Sequence, residues 1–173
     1  AHGVPNSTVV TTMCRNGTDF GLRVSNFEGF RWFTGPAQQV IGPMMGGYKP
    51  EDSGLDIGDS AITETYGIGG FAMAAAPAIV PLVGGTVEDA MSYSKDMVAI
   101  TTTTNPNLTI PVLDFRGIAT GIDVVKVIET GELPIINTAI AHKEAGIGMI
   151  GTGLVHAPFE VFELPRPRRP PRR

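Results

Sequence analysis

LPIINTAIAHKEAGIGMIGTG, residues 133–153, is where the chain declares its architecture. Its first nine residues are apolar and partly β-branched, which predicts a strand over 133–141. A charged triplet follows, His142-Lys143-Glu144, and then a glycine-rich run. On an extended backbone His142 and Glu144 would point one way and Lys143 the other; a turn would instead splay all three around one pocket. A solvated strand end is the simpler alternative. The glycines favour function, because bare main chain lets a ligand approach N–H donors.

Working outward, 8–14 (TVVTTMC) reads as a strand ended by the turn Arg15-Asn16-Gly17, where Asn and Gly tolerate positive φ. FGLRV (20–24) and RWFTG (31–35) are hairpin partners. Residues 36–60 read as a long loop, which in a compact domain is functional or packs on something. A short strand is expected near 61–65, then a buried helix over 70–83. A second helix, from about 86 to 100, is capped by Thr86 with Asp89 in the reciprocal position, and turns Ala90, Met91, Ser94, Met97 and Val98 inward. TTTTNPN (101–107) reads as a boundary. LTIPVLDF (108–115) reads as an edge strand interrupted by Pro111. A short helix after Asp123 stops at Gly131, and Pro158 sits at the first turn of another through Phe162. The fold class is therefore α+β, with a mixed, partly antiparallel sheet and packed helices in an irregular arrangement.

Composition narrows the function. The 173 residues carry a net charge of −4, but five of the 13 basic residues lie in the last ten, LPRPRRPPRR. The other 8 face 17 acidic residues, so residues 1–163 stand near −9, which argues against nucleic acid as a partner. The tail reads as disordered, with an Arg/Pro-rich binding arm as the alternative. The longest near-apolar run, 71–83, contains two prolines and is too short to cross a bilayer. With no secretory leader in view, a cytoplasmic location is expected. A single cysteine, Cys14, excludes an intrachain disulfide or a Cys-built metal site. GxSxG, HExxH, CxxC and P-loop patterns are absent.

Four sets of residues are chemically suggestive. Gly146-x-Gly148-x-x-Gly151 has dinucleotide-fingerprint spacing, but TGLVHAP after it is a poor helix start. Gly67-x-Gly69-Gly70 offers either an anion-binding helix start or close packing, and packing is the stronger reading. Asp56, Asp59 and Glu64, beside hydroxyl residues, could hold Mg²⁺, form a hydrogen-bond network or cap backbone N–H groups. Arg15-Asn16 is an anion clamp candidate, since a guanidinium grips carboxylate or phosphate in a fork, and Arg116 is a weaker one.

TTMCRNGTDFGLRVS, RWFTGPA, PEDSGLDIGDSAITETYGIGGFAMAAAPAI and INTAIAHKEAGIGMIGTGLVHAPFEVFE together resemble the YlbE/YahG-like family, collinearly over about residues 3–163. Its best-understood branch is the AllG-type subunit of oxamate carbamoyltransferase, in anaerobic allantoin breakdown. The resemblance implies that residues 1–163 correspond to the C-terminal α/β portion of a longer protein. Residues 164–173 would be a foreign or frameshifted tail. It implies carbamoyl transfer between phosphate and oxamate through oxalurate, within a complex that includes an FdrA-like subunit. The alternative is a non-catalytic assembly module binding that FdrA-like partner. No cofactor is implied with certainty, and Mg²⁺ is the one candidate. In the catalytic reading His142 or Glu144 is the base and Lys143 holds phosphate. Arg15 takes carboxylate or phosphate, Asn16 and Asn137 position substrate, Asp59 and Glu64 orient these groups, and Gly146 and Gly148 offer main-chain donors. That assignment expects the turns after the 8–14 and 133–141 strands to meet in a common cleft.

Overall fold

The computed structural model describes residues 2–27, 29 and 31–165. The expected tail, 164–173, lies outside these from residue 166 onward. The fold is α+β, as its sequence predicts: three small antiparallel sheets wrapped by helices and 3-10 turns.

The first sheet runs β3-β2-β1-β4, with β1 Val10–Asn16, β2 Asp19–Val24, β3 Phe33–Pro36 and β4 Ile57–Gly58. β1 and β2 form a hairpin with Arg15 opposite Phe20. The turn is set by Gly17, whose φ is +86°, and by Asn16, whose Oδ1 accepts the N–H groups of Thr18 and Asp19. The second sheet pairs β5 Thr101–Ile110 with β6 Arg116–Ile122. The third pairs β7 Ile135–Ala141 with β8 Met149–His156.

Four helices are α1 Ser60–Tyr66, α2 Val87–Ala99, α3 Val124–Thr130 and α4 Glu160–Glu163. The α2 capping is as expected: Asp89 N–H donates to Thr86 Oγ1 at 3.2 Å and Thr86 N–H to Asp89 Oδ2 at 2.7 Å. Ala90, Ser94 and Met97 on its inner face are buried. Asp123 caps α3 and Gly131, at φ +72°, ends it.

Three expectations need correction. Residues 61–65 are helix, not strand. Ile62, Thr63 and Thr65 favour strands by branching, but the segment buries Ala61 and Glu64 three apart, a helical spacing, and stops at left-handed Gly67. The 70–83 helix is two 3-10 turns, Gly69–Ala75 and Pro77–Val83, broken at Ala76 because Pro77 disfavours helical backbone before it. TTTTNPN is no boundary but most of β5, its threonines suiting a strand while the register shift between Asn105 and Thr109 absorbs Pro106.

One core joins the three sheets, built from Met13, Phe20, Leu22, Phe71, Ile100, Ile122, Ile136, Ile140 and Phe162 among others. Each such side chain contributes about 1.5–3 kcal/mol through burial. The long 36–60 segment packs as expected. Ile41 bridges Leu154, Met44 bridges Gly151 and Ser53 bridges His142. Glycine permits the approach: a Cβ on Gly153 would lie 2.3 Å from the Ile41 carbonyl oxygen, and one on Gly42 2.1 Å from that of Thr152.

Candidate functional site

β1 carries Arg15 inward, where its side chain is fully buried. Nε donates to both Asp56 carboxylate oxygens at 2.9 Å, and Nη2 donates to Thr138 Oγ1 on β7 at 2.6 Å. Ser60, at the start of α1, donates to the same Thr138 oxygen at 3.4 Å. Nη1 is buried without a partner among the described residues. Gly58 lies opposite Arg15 in the β4 pairing, and a Cβ there would lie 3.9 Å from Nη2, in ordinary contact. Burial pushes the Asp56 carboxyl above its ordinary range, and the Arg15 hydrogen bonds and charge oppose that. A buried pair of this kind is a weak source of net stability but a strict one: removing either partner strands the other.

One helical turn after Ser60, Glu64 is also fully buried. Its Oε1 accepts the N–H groups of Gly70 (2.9 Å) and Asn137 (3.1 Å). Its Oε2 lies 3.1 Å from the Thr63 hydroxyl, which also reaches the Ser60 carbonyl at 2.6 Å. Burial raises its pKa above the ordinary carboxyl value, and these hydrogen bonds counter the rise. The Gly67-x-Gly69-Gly70 run therefore already holds a carboxyl group, the protein's own. Glycine is required there, since a Cβ on Gly69 would meet Glu64 Oε1 at 2.1 Å and one on Gly70 the Ile135 carbonyl at 2.3 Å.

The triplet leaves β7 at its outer end. The His142 N–H donates to the Gly148 carbonyl at 2.9 Å, and its Nδ1 accepts the Glu144 N–H at 2.9 Å. The ring meets Tyr48 edge-on, centroids 5.5 Å apart. Lys143 Nζ donates to the Glu51 carbonyl at 2.7 Å and stands 3.9 Å from Asp52 Oδ1. His142 and Lys143 thus both turn to the 48–52 segment rather than to opposite sides. Gly146 and Gly148, at φ +89° and +90°, carry the exposed return to β8. A strand, not a helix, follows the Gly146–Gly151 spacing, so the dinucleotide reading fails.

The remaining candidates separate. Asn16 is occupied by its turn. Asp59 is exposed and makes no side-chain cap on α1. Asn137 lines an apolar cavity of about 270 Å³ with Met73 and Ile79, and Arg116 borders another of about 370 Å³. Asp56, Asp59 and Glu64 do not gather: among the described residues no three His, Cys, Asp or Glu side chains are placed to hold a metal. The common cleft is also corrected. None of the four cavities described takes its lining from Arg15 or from His142–Glu144. The two groups sit at opposite ends of the 53–58 segment, which bridges His142 through Ser53 and β1 through Ile57 and Gly58. Sequence reasoning missed Thr138 and Tyr48. A lone hydroxyl in a core strand was the only signal for the first.

The comparisons place this geometry. The chain is 70% identical over 163 residues to the uncharacterized protein YahG of Escherichia coli (strain K12), covering 94% of this chain and 34% of that one. It is 51% identical over 157 residues to the oxamate carbamoyltransferase subunit AllG of the same organism, covering 90% of this chain and 37% of AllG. The chain is YahG/AllG-like. The family profile described as oxamate carbamoyltransferase subunit AllG matches residues 1–60 of this YahG/AllG-like chain. A crystal structure of a conserved protein of unknown function from Enterococcus faecalis V583 superposes with a TM-score of 0.92 at 73% identity. That match covers 94% of this chain and 39% of the other. The YahG/AllG-like chain spans about a third of the length of the curated relatives it matches. No helix among the described residues is long and apolar enough to cross a membrane.

Proposed function

We propose that these residues form part of a cytoplasmic carbamoyltransferase subunit that moves a carbamoyl group between phosphate and oxamate, as in allantoin catabolism. The 51% identity to AllG over 157 residues carries this reading. In the reaction the oxamate amide nitrogen attacks the carbamoyl carbon of carbamoyl phosphate. The C–O bond to phosphate breaks, and the nitrogen gives up a proton to a base, leaving oxalurate and phosphate. The triplet supplies fitting groups. His142 Nδ1 accepts the Glu144 N–H, which puts the ring's own proton on Nε2. His142 is then a donor to the carbamoyl oxygen as charge builds there, and Glu144 is the base. Lys143, exposed at the same corner, meets phosphate. Gly146 and Gly148 add main-chain donors without side-chain obstruction. Arg15 and Glu64 are buried and bonded within the fold, and Asn16 Oδ1 is held in its own exposed turn, so their part is structural.

The test is turnover of the reconstituted complex, measured as carbamoyl phosphate made from oxalurate and phosphate. Lys143→Ala and Glu144→Gln in the full-length subunit should each lower it by about 10²-fold or more. Near-normal turnover with intact assembly would remove the triplet from the chemistry.

A second reading is an assembly module that docks an FdrA-like subunit. The hairpin tip favours it: Phe115 is 69% exposed although its φ of +56° is strained for a bulky residue, and Val112 beside it is also exposed. Loss of co-purification on Phe115→Ser, with turnover per assembled complex unchanged, would favour that module.

A further inference from the structure

His142 reaches the outer corner on a side chain whose last torsion is loosely held. The χ2 angle of a histidine is a broad rotor, so a backbone that places Cβ correctly does not by itself aim the ring nitrogens. One constraint comes from within the turn: Nδ1 accepts the Glu144 N–H at 2.9 Å. A single hydrogen bond to a ring nitrogen still lets the ring tilt about it. The second constraint is Tyr48, whose ring meets the imidazole at 68° with centroids 5.5 Å apart, inside the range of edge-to-face aromatic pairs.

Tyr48 is itself firmly placed. Gly46 and Gly47 take left-handed backbone, φ +60° and +83°, and turn the chain so that the Tyr48 N–H donates to the Met45 carbonyl at 3.1 Å. Before that turn, the Met45 N–H donates to the Ile150 carbonyl on β8 at 2.7 Å. After it, Asp52 Oδ2 accepts the Lys49 N–H at 3.0 Å, and the Asp52 carbonyl accepts the Lys143 N–H at 2.8 Å. The Gly54 N–H then donates to the Ala141 carbonyl at 2.9 Å. The segment is thus bonded to β8 on one side of Tyr48 and to the end of β7 on the other. A ring seated between two such attachments can hold another ring.

We infer that Tyr48 is a positioning residue for His142: it locks the imidazole in the orientation that keeps Nδ1 on the Glu144 amide and turns Nε2–H outward, toward the carbamoyl oxygen. The inference rests on the reading of the triplet given above and adds a residue which that reading did not use. Tyr48 touches no reacting atom and acts through His142.

The experiment has two arms. In the 173-residue chain, NMR of the histidine ring nitrogens at alkaline pH reads the tautomer of His142, its signals assigned by their loss in His142→Gln. The parent should show one tautomer, protonated on Nε2, and Tyr48→Phe should keep it. Tyr48→Ala should give the averaged nitrogen shifts of a ring that exchanges between tautomers. Unaltered shifts in Tyr48→Ala would overturn the inference. So would loss of hydrogen-exchange protection at the Met45 amide in that variant, because Tyr48 would then hold the segment rather than the ring.

The second arm is turnover of the full-length subunit in the reconstituted complex. Tyr48→Ala should lower kcat about 3–10-fold, the worth of one aromatic pair, with KM for oxalurate and phosphate changed less than about twofold. Tyr48→Phe should restore kcat. A loss in Tyr48→Phe as large as that in Tyr48→Ala would overturn the inference by assigning the work to the hydroxyl, and an unchanged kcat in Tyr48→Ala would overturn it too. The reading of the triplet is judged separately, by Lys143→Ala and Glu144→Gln, and the NMR arm does not depend on it.

Discussion

Arg15 Nη2 stands 2.6 Å from Thr138 Oγ1, a hydrogen bond between residues 123 positions apart that ties the first strand to the seventh. With Asp56 on the other side of the guanidinium, three separate segments depend on one side chain. Arg15→Met should lower the urea-unfolding free energy by about 3–5 kcal/mol, because it leaves the Asp56 charge buried and unpaired. Adding Asp56→Asn should recover a large part of the loss. Equal losses in the single and double variants would mean that the pairing is not what holds the segments together.

Glu64 gives a pH signature. Its folded pKa is raised, so the folded state holds its proton more tightly than the unfolded one. The resulting stabilisation is fully present below the unfolded value, near 4.5, and is lost as pH rises through the higher folded value. Glu64→Gln keeps an oxygen to accept from Gly70 and Asn137 but cannot ionise. Its Tm relative to the parent should therefore rise between pH 4.5 and pH 8; a flat difference would contradict the assignment. Asp56 shifts in the same direction but is present in both proteins, so it drops out of the comparison. Glu64→Ala should be destabilising at every pH by roughly 2–5 kcal/mol, since two buried N–H groups lose their acceptor.

Gly153→Ala should detach the 41–45 segment from β8. The added Cβ would fall 2.3 Å from the Ile41 carbonyl oxygen, and backbone cannot yield as a flexible side chain does. The amides that join the two, Ile41 to Leu154, Leu154 to Ile41 and Met45 to Ile150, should exchange hydrogen at least about tenfold faster. Unchanged protection at these amides would show that the segment is held by other contacts.

Lys143→Ala should barely affect stability. Its partners are a main-chain carbonyl and one carboxylate 3.9 Å away, with the Lys143 side chain about half exposed. A change within about 1 kcal/mol in urea titration is expected. That makes a loss of turnover in the complex attributable to chemistry. A larger destabilisation would remove that attribution.

What the sequence disclosed is mostly local. Thr86 with Asp89, Asp123 with Gly131, and Asn16 with Gly17 each fix a boundary through bonds within a few residues, and each was legible. The errors came where local preference and tertiary packing disagree. Ile62, Thr63 and Thr65 look like a strand, yet burying Ala61 and Glu64 together requires a helix. Arg15 and Glu64 were recognisable as unusual, but not that their partners would be Thr138 and Asn137, since nothing in a chain announces which distant strand will pass beside it. The same holds for the triplet: its charges were plain, while its docking on Tyr48 and Glu51 depends on a loop whose path only the fold defines.

The tie between the first and seventh strands also sets an order of events in the cell. A ribosome adds about 5–20 residues per second, so the β1–β2 hairpin is made several seconds before Thr138 exists. Through that interval the Arg15 guanidinium has no Thr138 to meet, and the hairpin waits as an unfinished, sticky surface. Closure over so long a span is slow by topology, so the apolar face of the hairpin stays uncovered until the seventh strand has emerged.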